Sequence, residues 1–347
     1  SSFVYKGKPV SVPEVARDLG VRYVLEGSVR RAGDRVRVTA QLIDGTNGGH
    51  VWGERYDRQL DDIFAVQDDV TRSIVETLKV KLSPDELRRV TNIGTTNVQA
   101  YDLFLRGKAA FITFTRDGIR RARELYQRAY EADTGYAEPL AAIARTYVYE
   151  WATGLSRDRA QTVDTAVIEA ERAVELDPEL PIAQATLGWA SLWAGDHARA
   201  LAAGERSVWL APNDADILTW HALCLSWCAR TDEAENLLEK AFRLNPNVPS
   251  QYYFARGLNY FVMEAFERAI EVLRIGTIKS PTFIPHFLFL AASLALSGQM
   301  GEAAKVKDDI YRLNPGFTIR GAANDVAWKY PADADRIDRG LRLAGLV

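Results

Sequence analysis

His221, Cys224 and Cys228 stand at i, i+3 and i+7, so on a helix an imidazole and two thiols project from one side. That is a partial zinc site. No fourth ligand is evident nearby, and cysteine is among the most buried residue types, so a packed face competes with a metal centre. Cysteines four apart on a helix are also poorly placed for a disulfide. His50, His197 and His286 are scattered, and the pairs Asp61-Asp62, Asp68-Asp69 and Asp308-Asp309 are adjacent rather than convergent. The chain carries no phosphate-cradling glycine loop, nucleophile elbow or zincin helix. No catalytic, cofactor-binding or metal-binding residue is therefore expected, and the chain itself is read as a non-enzyme. The side chains that could bind something are aromatic: Trp189 and Trp193, Trp220 and Trp227, Phe254 and Phe261, each pair spaced by four or seven. Such spacing puts both rings of a pair on one helix face.

The elements that hold them are set by proline. Pro178, Pro212, Pro246, Pro281 and Pro315 are separated by 34, 34, 35 and 34 residues. Proline lacks the amide hydrogen and pushes its predecessor out of the helical basin, so each ends one helix and opens a turn. A period near 34 is the mark of tandem helix–turn–helix units. Twelve residues before each proline stands Ala166, Ala200, Ala234, Ala269 or Ala303, and twenty-four before stands Gly188, Ala222, Gly257 or Ala291. Small side chains at both places let paired helices approach closely.

These features resemble the tetratricopeptide repeat family, most closely at Leu187-Gly188, Gly195-Asp196, Ala200 and Leu210-Ala211-Pro212. His221 departs from it, standing where a leucine is usual. The resemblance implies that the first helix of each pair lines a concave face, with Leu192, Leu223, Leu258, Leu288 and Phe289 beside the six aromatics. An apolar groove accepting a peptide, a helix or a neighbouring domain is one reading. Rings filling a tightly curled superhelix is the other. The groove lacks the Lys/Asn set with which some members clamp C-terminal carboxylates. About ten extra residues near Trp151 to Val163 read either as a loop over the groove or as a helix extension.

The first part of the chain has a different period. Val21, Tyr23 and Leu25, then Val36, Val38, Ala40 and Leu42, alternate with polar residues, predicting half-buried antiparallel strands. Val51 to Tyr56 supplies a third. A helix from Val12 to Leu19 ends at Gly20, and Ile63, Val66, Val70, Ile74, Leu78 and Leu82 predict an amphipathic helix stopped by Ser83-Pro84. The blocks Gly20 to Arg30, Gln41 to Asp44, Trp52 to Asp57 and Ile63 to Gln67 resemble the TolB-amino-terminal-like domain of bacterial signalling proteins. In that family a further strand and helix come first, so the sheet is expected to expose an edge. The module is read as a sensing or docking unit, or as a plain packing domain.

The expected fold is thus a small α+β domain followed by an all-α superhelical solenoid: 1–82 the TolB-like module, 83–96 a linker, 97–323 about six helix pairs, 324–347 a capping helix with Ile337, Leu341 and Leu343 on its apolar side. A net charge of −3 lacks the footprint of a nucleic-acid binder. Two cysteines suit a reducing, cytoplasmic setting. The longest apolar stretch, Phe283 to Leu296, is too short for a membrane span. The first residue is not methionine, which points to a piece of a longer protein. By resemblance, the two halves in this order are the C-terminal region of class III adenylate/guanylate cyclase-like proteins. The expected partner is a protein, a peptide or an upstream domain that shifts the solenoid's curvature or docking. A winged-helix transcription regulator as parent, and a metal-dependent enzyme centred on His221, are the alternatives.

Overall fold

Helix boundaries follow the prolines. The computed structural model describes residues 5, 10–59, 62–78, 94–153, 155–156, 158–319 and 328–347. Two compact units emerge, Ser1–Leu105 with Arg128–Tyr136, and Arg106–Gln127 with Ala137–Val347.

In the first unit α1 (Val12–Leu19) opens on Ser11, which shares a capping box with Glu14, and closes on Gly20 at φ 64°. Three strands, β1 (Tyr23–Ala32), β2 (Arg35–Asp44) and β3 (Gly49–Gln59), form an antiparallel meander in the order β1-β2-β3. The register pairs Leu25 with Leu42 and Val29 with Val38, then Val38 with Tyr56, with a bulge between Leu42 and Ile43. Helix α2 (Ile63–Thr77) packs on β2 and β3, burying Phe64 and Val66 where Val36, Ala40, Leu42 and Tyr56 are also buried. The expectation that β1 is half-buried is corrected. Leu25 and Val29 share the face of Leu42 and Val38 but remain 49% and 68% exposed. The cause is placement: α2 packs on β2 and β3, whereas β1 meets the short α1. The expected stop of α2 at Ser83-Pro84 lies outside the described residues, as do 83–93 of the expected linker. Phe64 meets Tyr101 edge-on at 5.5 Å, and Asn97 donates to the Ala132 carbonyl at 2.8 Å.

Helices α3 (Val98–Phe111) and α4 (Arg116–Ala132) precede the array proper. Within the second unit, hairpins follow as α5 (Glu138–Ala152) with α6 (Arg159–Leu176), α7 (Pro181–Trp193) with α8 (His197–Leu210), α9 (Ala215–Trp227) with α10 (Thr231–Leu244), α11 (Ser250–Val262) with α12 (Phe266–Lys279), and α13 (Ile284–Leu296) with α14 (Met300–Leu313). The helices α6, α8, α10, α12 and α14 end at Leu176, Leu210, Leu244, Lys279 and Leu313, each two residues before its proline. Ala166, Ala200, Ala234, Ala269 and Ala303 are all buried. A Cβ on Gly188 would stand 3.0 Å from the Ala200 carbonyl oxygen, and one on Gly257 would meet Leu273 at 2.5 Å. Glycine lets the backbones touch at the Gly188 crossing and makes room for the Leu273 side chain at Gly257. Fully buried leucines such as Leu192, Leu218, Leu238, Leu258 and Leu273 each contribute roughly 1.5–3 kcal/mol from burial.

The turn inside a hairpin uses a left-handed residue. Gly195 and Gly298 hold it at φ 80° and 83°, whereas Ala229 and Glu264 adopt φ 56° and 58° at the equivalent place. The extra residues after Trp151 lengthen α6 to 18 residues, against 14 in α8. A last helix, α15 (Pro331–Leu343), packs on α13, with Gly340 so near Ala292 that an added Cβ would lie 2.7 Å from its methyl. Ile337 and Leu341 are buried there, while Leu343 is exposed.

Candidate functional site

First helices pack on one another in sequence, α5 on α7, α7 on α9, α9 on α11 and α11 on α13, while each second helix packs on its own partner and on the next first helix. Side chains of the first helices therefore form one continuous inner wall. Buried polar links fix its register: Ser226 Oγ donates to Asn259 Oδ1 at 3.0 Å, and Asn259 Nδ2 donates to the Thr231 carbonyl at 3.1 Å. Glu235 accepts from Tyr260 Oη at 2.7 Å and from Arg256 Nε at 3.0 Å, tying α10 to α11.

The wall is aromatic. Trp151 lies against Trp193 with ring centres 4.3 Å apart, Trp193 meets Trp227 at 5.6 Å, and Trp189 stacks on Trp220 at 5.6 Å. Phe254 and Phe261 converge on Phe289 at 5.7 and 5.2 Å. Of the six aromatics expected to line a groove, Trp227 and Phe261 are core side chains, 3% and 0% exposed. Trp189, Trp193, Trp220 and Phe254 are half-buried. Trp328, which lies outside the repeat period, places its ring 4.1 Å from that of Trp227, and the Lys329 amide donates to the Trp227 carbonyl at 3.3 Å. Nothing in the sequence spacing signals this contact. Arg336 ties α15 to the turn after α11 through Glu264 at 2.8 Å.

One cation on this wall escaped sequence reasoning. Arg145, on α5, sets its guanidinium 5.3 Å from the Phe111 ring centre and 5.4 Å from that of Trp220. Among the described residues no carboxylate lies within ion-pair distance of it and no acceptor hydrogen-bonds it. Burial pulls its pKa down, opposed only through space by Tyr126, Asp216 and Glu138. Neighbouring Arg123 differs: it pairs with Glu150 at 2.8 Å, donates to Thr146 at 2.9 Å and stacks on Tyr147. A surface cavity lined by Arg116, Arg120, Arg123, Glu150 and Asp158 is already satisfied within itself, since Arg120 pairs with Asp117 and Arg116 donates to the Leu155 carbonyl.

The metal-site candidates are embedded in packing. His221 is buried against Gly204, where an added Cβ would stand 2.1 Å from Nδ1. Burial lowers its pKa to about 4 against the pull of Glu205 and Glu233, with Arg230 adding to the depression. Burial likewise pushes the Cys224 and Cys228 thiols up, which keeps both protonated. Among the described residues no group of three or more His, Cys, Asp or Glu is placed to hold a metal ion. No described helix is long and apolar enough to cross a membrane.

No family model matches the chain. A curated relative, "Putative adenylate cyclase 3" of Rhizobium meliloti (strain 1021), is 46% identical over 197 residues, covering 56% of this chain. The match covers 33% of that relative, so the chain spans about a third of its length. Among solved structures, the anaphase-promoting-complex heterotetramer Cut9–Hcn1 is similar at TM-score 0.50 and 15% identity, covering 80% of this chain and 52% of that one. A thermophilic tetratricopeptide protein of Thermus thermophilus gives TM-score 0.44 at 18% identity, covering 56% of this chain and 98% of its own. The fold is a three-stranded antiparallel sheet with helices followed by a tetratricopeptide-type solenoid.

Proposed function

We propose that this chain is the partner-binding regulatory region of a larger bacterial signalling protein of adenylate cyclase type. Its role is to hold a protein or peptide segment on the inner wall of the solenoid, without covalent chemistry of its own. The observation that carries this is the wall itself: half-buried Trp189, Trp193 and Trp220 beside a charge, Arg145, with no counter-ion among the described residues. Apolar area with a few placed polar groups is the make-up of a recognition surface. The name of the curated relative supports a cyclase parent, and the antiparallel meander supports a TolB-like module in front of the solenoid. Occupancy of the wall would alter how neighbouring hairpins stack and so bias an output domain elsewhere in the parent.

The test is output. In the full-length parent, Trp189→Ala combined with Trp220→Ala is expected to change the dependence of cyclic-nucleotide production on the partner. Circular dichroism of the variant checks that the helices persist. Unchanged output and unchanged partner association in a folded variant would contradict the proposal.

A further inference from the structure

Arginine is seldom left half-buried without an anion. Its guanidinium offers five donors in a planar fork, stays charged at any physiological pH, and matches a carboxylate with two parallel hydrogen bonds. Arg145 spends none of those donors on a described residue. Its two ring neighbours come from different helices, Phe111 of α3 and Trp220 of α9. The two rings displace water from part of the guanidinium, while no described residue takes a hydrogen bond from it. A fixed, partly desolvated cation gains more from an incoming carboxylate than a mobile surface lysine does.

We propose that the inner wall binds a peptide segment of a partner protein through an Asp or Glu side chain that docks on Arg145, with the flanking apolar residues seated on Trp189 and Trp220. This deepens the partner-binding reading and rests on it. The acid is an internal side chain rather than a chain terminus because aromatic wall continues on both sides of Arg145. Phe114 and Tyr149 stack at 5.2 Å beyond Phe111, and Trp193 and Trp151 lie beyond Trp189. A segment lying there runs past the arginine instead of ending at it.

The experiment uses the full chain and 12-residue peptide libraries that differ only at one central position, Glu, Gln or Lys, with random apolar-rich flanks, each made with amidated and with free C-termini. Affinity is read by fluorescence anisotropy on selected members. The Glu library should yield binders about tenfold or more tighter than the same sequences with Gln, and Lys should abolish binding. Arg145→Met should remove the Glu-over-Gln preference, Arg145→Lys should restore part of it, and Trp220→Ala should weaken Glu and Gln peptides alike. The Glu/Gln comparison on the unaltered protein needs no variant to fold. Equal binding of Glu and Gln peptides, with Trp220→Ala still weakening both, overturns the carboxylate anchor but leaves the groove reading standing. Binding that no wall substitution affects, or no binding from any library, overturns both. A preference that appears only with a free C-terminus, or self-association of the protein lost in Arg145→Met, would assign the arginine to a chain terminus or a second copy and overturn the proposal.

Discussion

His221 and His286 make the solenoid acid-sensitive by a calculable amount. Each imidazole is buried against a glycine, Gly204 and Gly276, whose missing side chain leaves room for the ring. Burial, the largest cause for both, lowers each pKa from 6.5 to about 4. The folded protein therefore refuses a proton that the unfolded chain accepts below pH 6.5. Stability is full above that value and is lost as pH falls toward 4. At pH 5 each histidine should cost roughly 2 kcal/mol relative to pH 7, about 4 kcal/mol for the pair. Urea denaturation followed by far-UV circular dichroism at the two pH values measures this, with the m-value checking that the same surface unfolds. The comparison chain is His221→Leu with His286→Leu, which keeps side-chain volume and removes the titration. Carboxylates contribute equally to both chains and cancel in the difference. The parent should lose several kcal/mol more than the double variant between pH 7 and pH 5. Equal losses would refute the claim that these rings are held neutral.

Ala229→Gly relieves a left-handed alanine at φ 56° and should stabilise by about 0.5–1 kcal/mol in denaturant titration. A destabilised variant would show that the turn is not strained. Gly257→Ala places a methyl 2.5 Å from Leu273, whereas Gly301→Ala meets nothing within 4 Å. The first should therefore lose roughly 1–3 kcal/mol in the same titration, and the second should be neutral or slightly stabilised. Trp328→Ala removes a ring packed on Trp227 at 4.1 Å. It should lower stability by about 2 kcal/mol and shift the tryptophan emission of the remaining core. An unchanged spectrum and denaturation midpoint would mean the contact does not persist in solution.

Much of the fold was legible because it rests on backbone chemistry. Proline cannot continue a helix, so Pro178 to Pro315 marked every second-helix end in the array within two residues. Small residues at fixed offsets marked the crossings at Gly188 and Gly257. The wall was legible as an aromatic stripe, but its depth was not. Trp227 and Phe261 carry the same spacing signal as Trp189 and Trp220, and only the folded packing, Phe289 and Trp328 against Trp227 and Phe266 and Phe289 against Phe261, shows which rings are sealed. Arg145 was invisible for a similar reason. In the sequence it is simply the arginine of α5, and that no described residue pairs with it emerges only when Phe111 of α3 and Trp220 of α9 are brought close to it. The exposure of β1 was hidden because alternation reports which side chains share a face. It does not report which strands the helix lies over.

The most direct test of the inner wall is fluorine NMR of the full chain labelled with 5-fluorotryptophan, titrated with a Glu-centred peptide selected as above. Each of the eight tryptophans is assigned by single replacement with phenylalanine. Signals from Trp189, Trp193 and Trp220 are predicted to move with the binding isotherm, while Trp52 on the sheet and exposed Trp209 stay fixed. Movement of Trp52 or Trp209 with the three inner-wall signals unchanged would place the partner elsewhere and contradict the account.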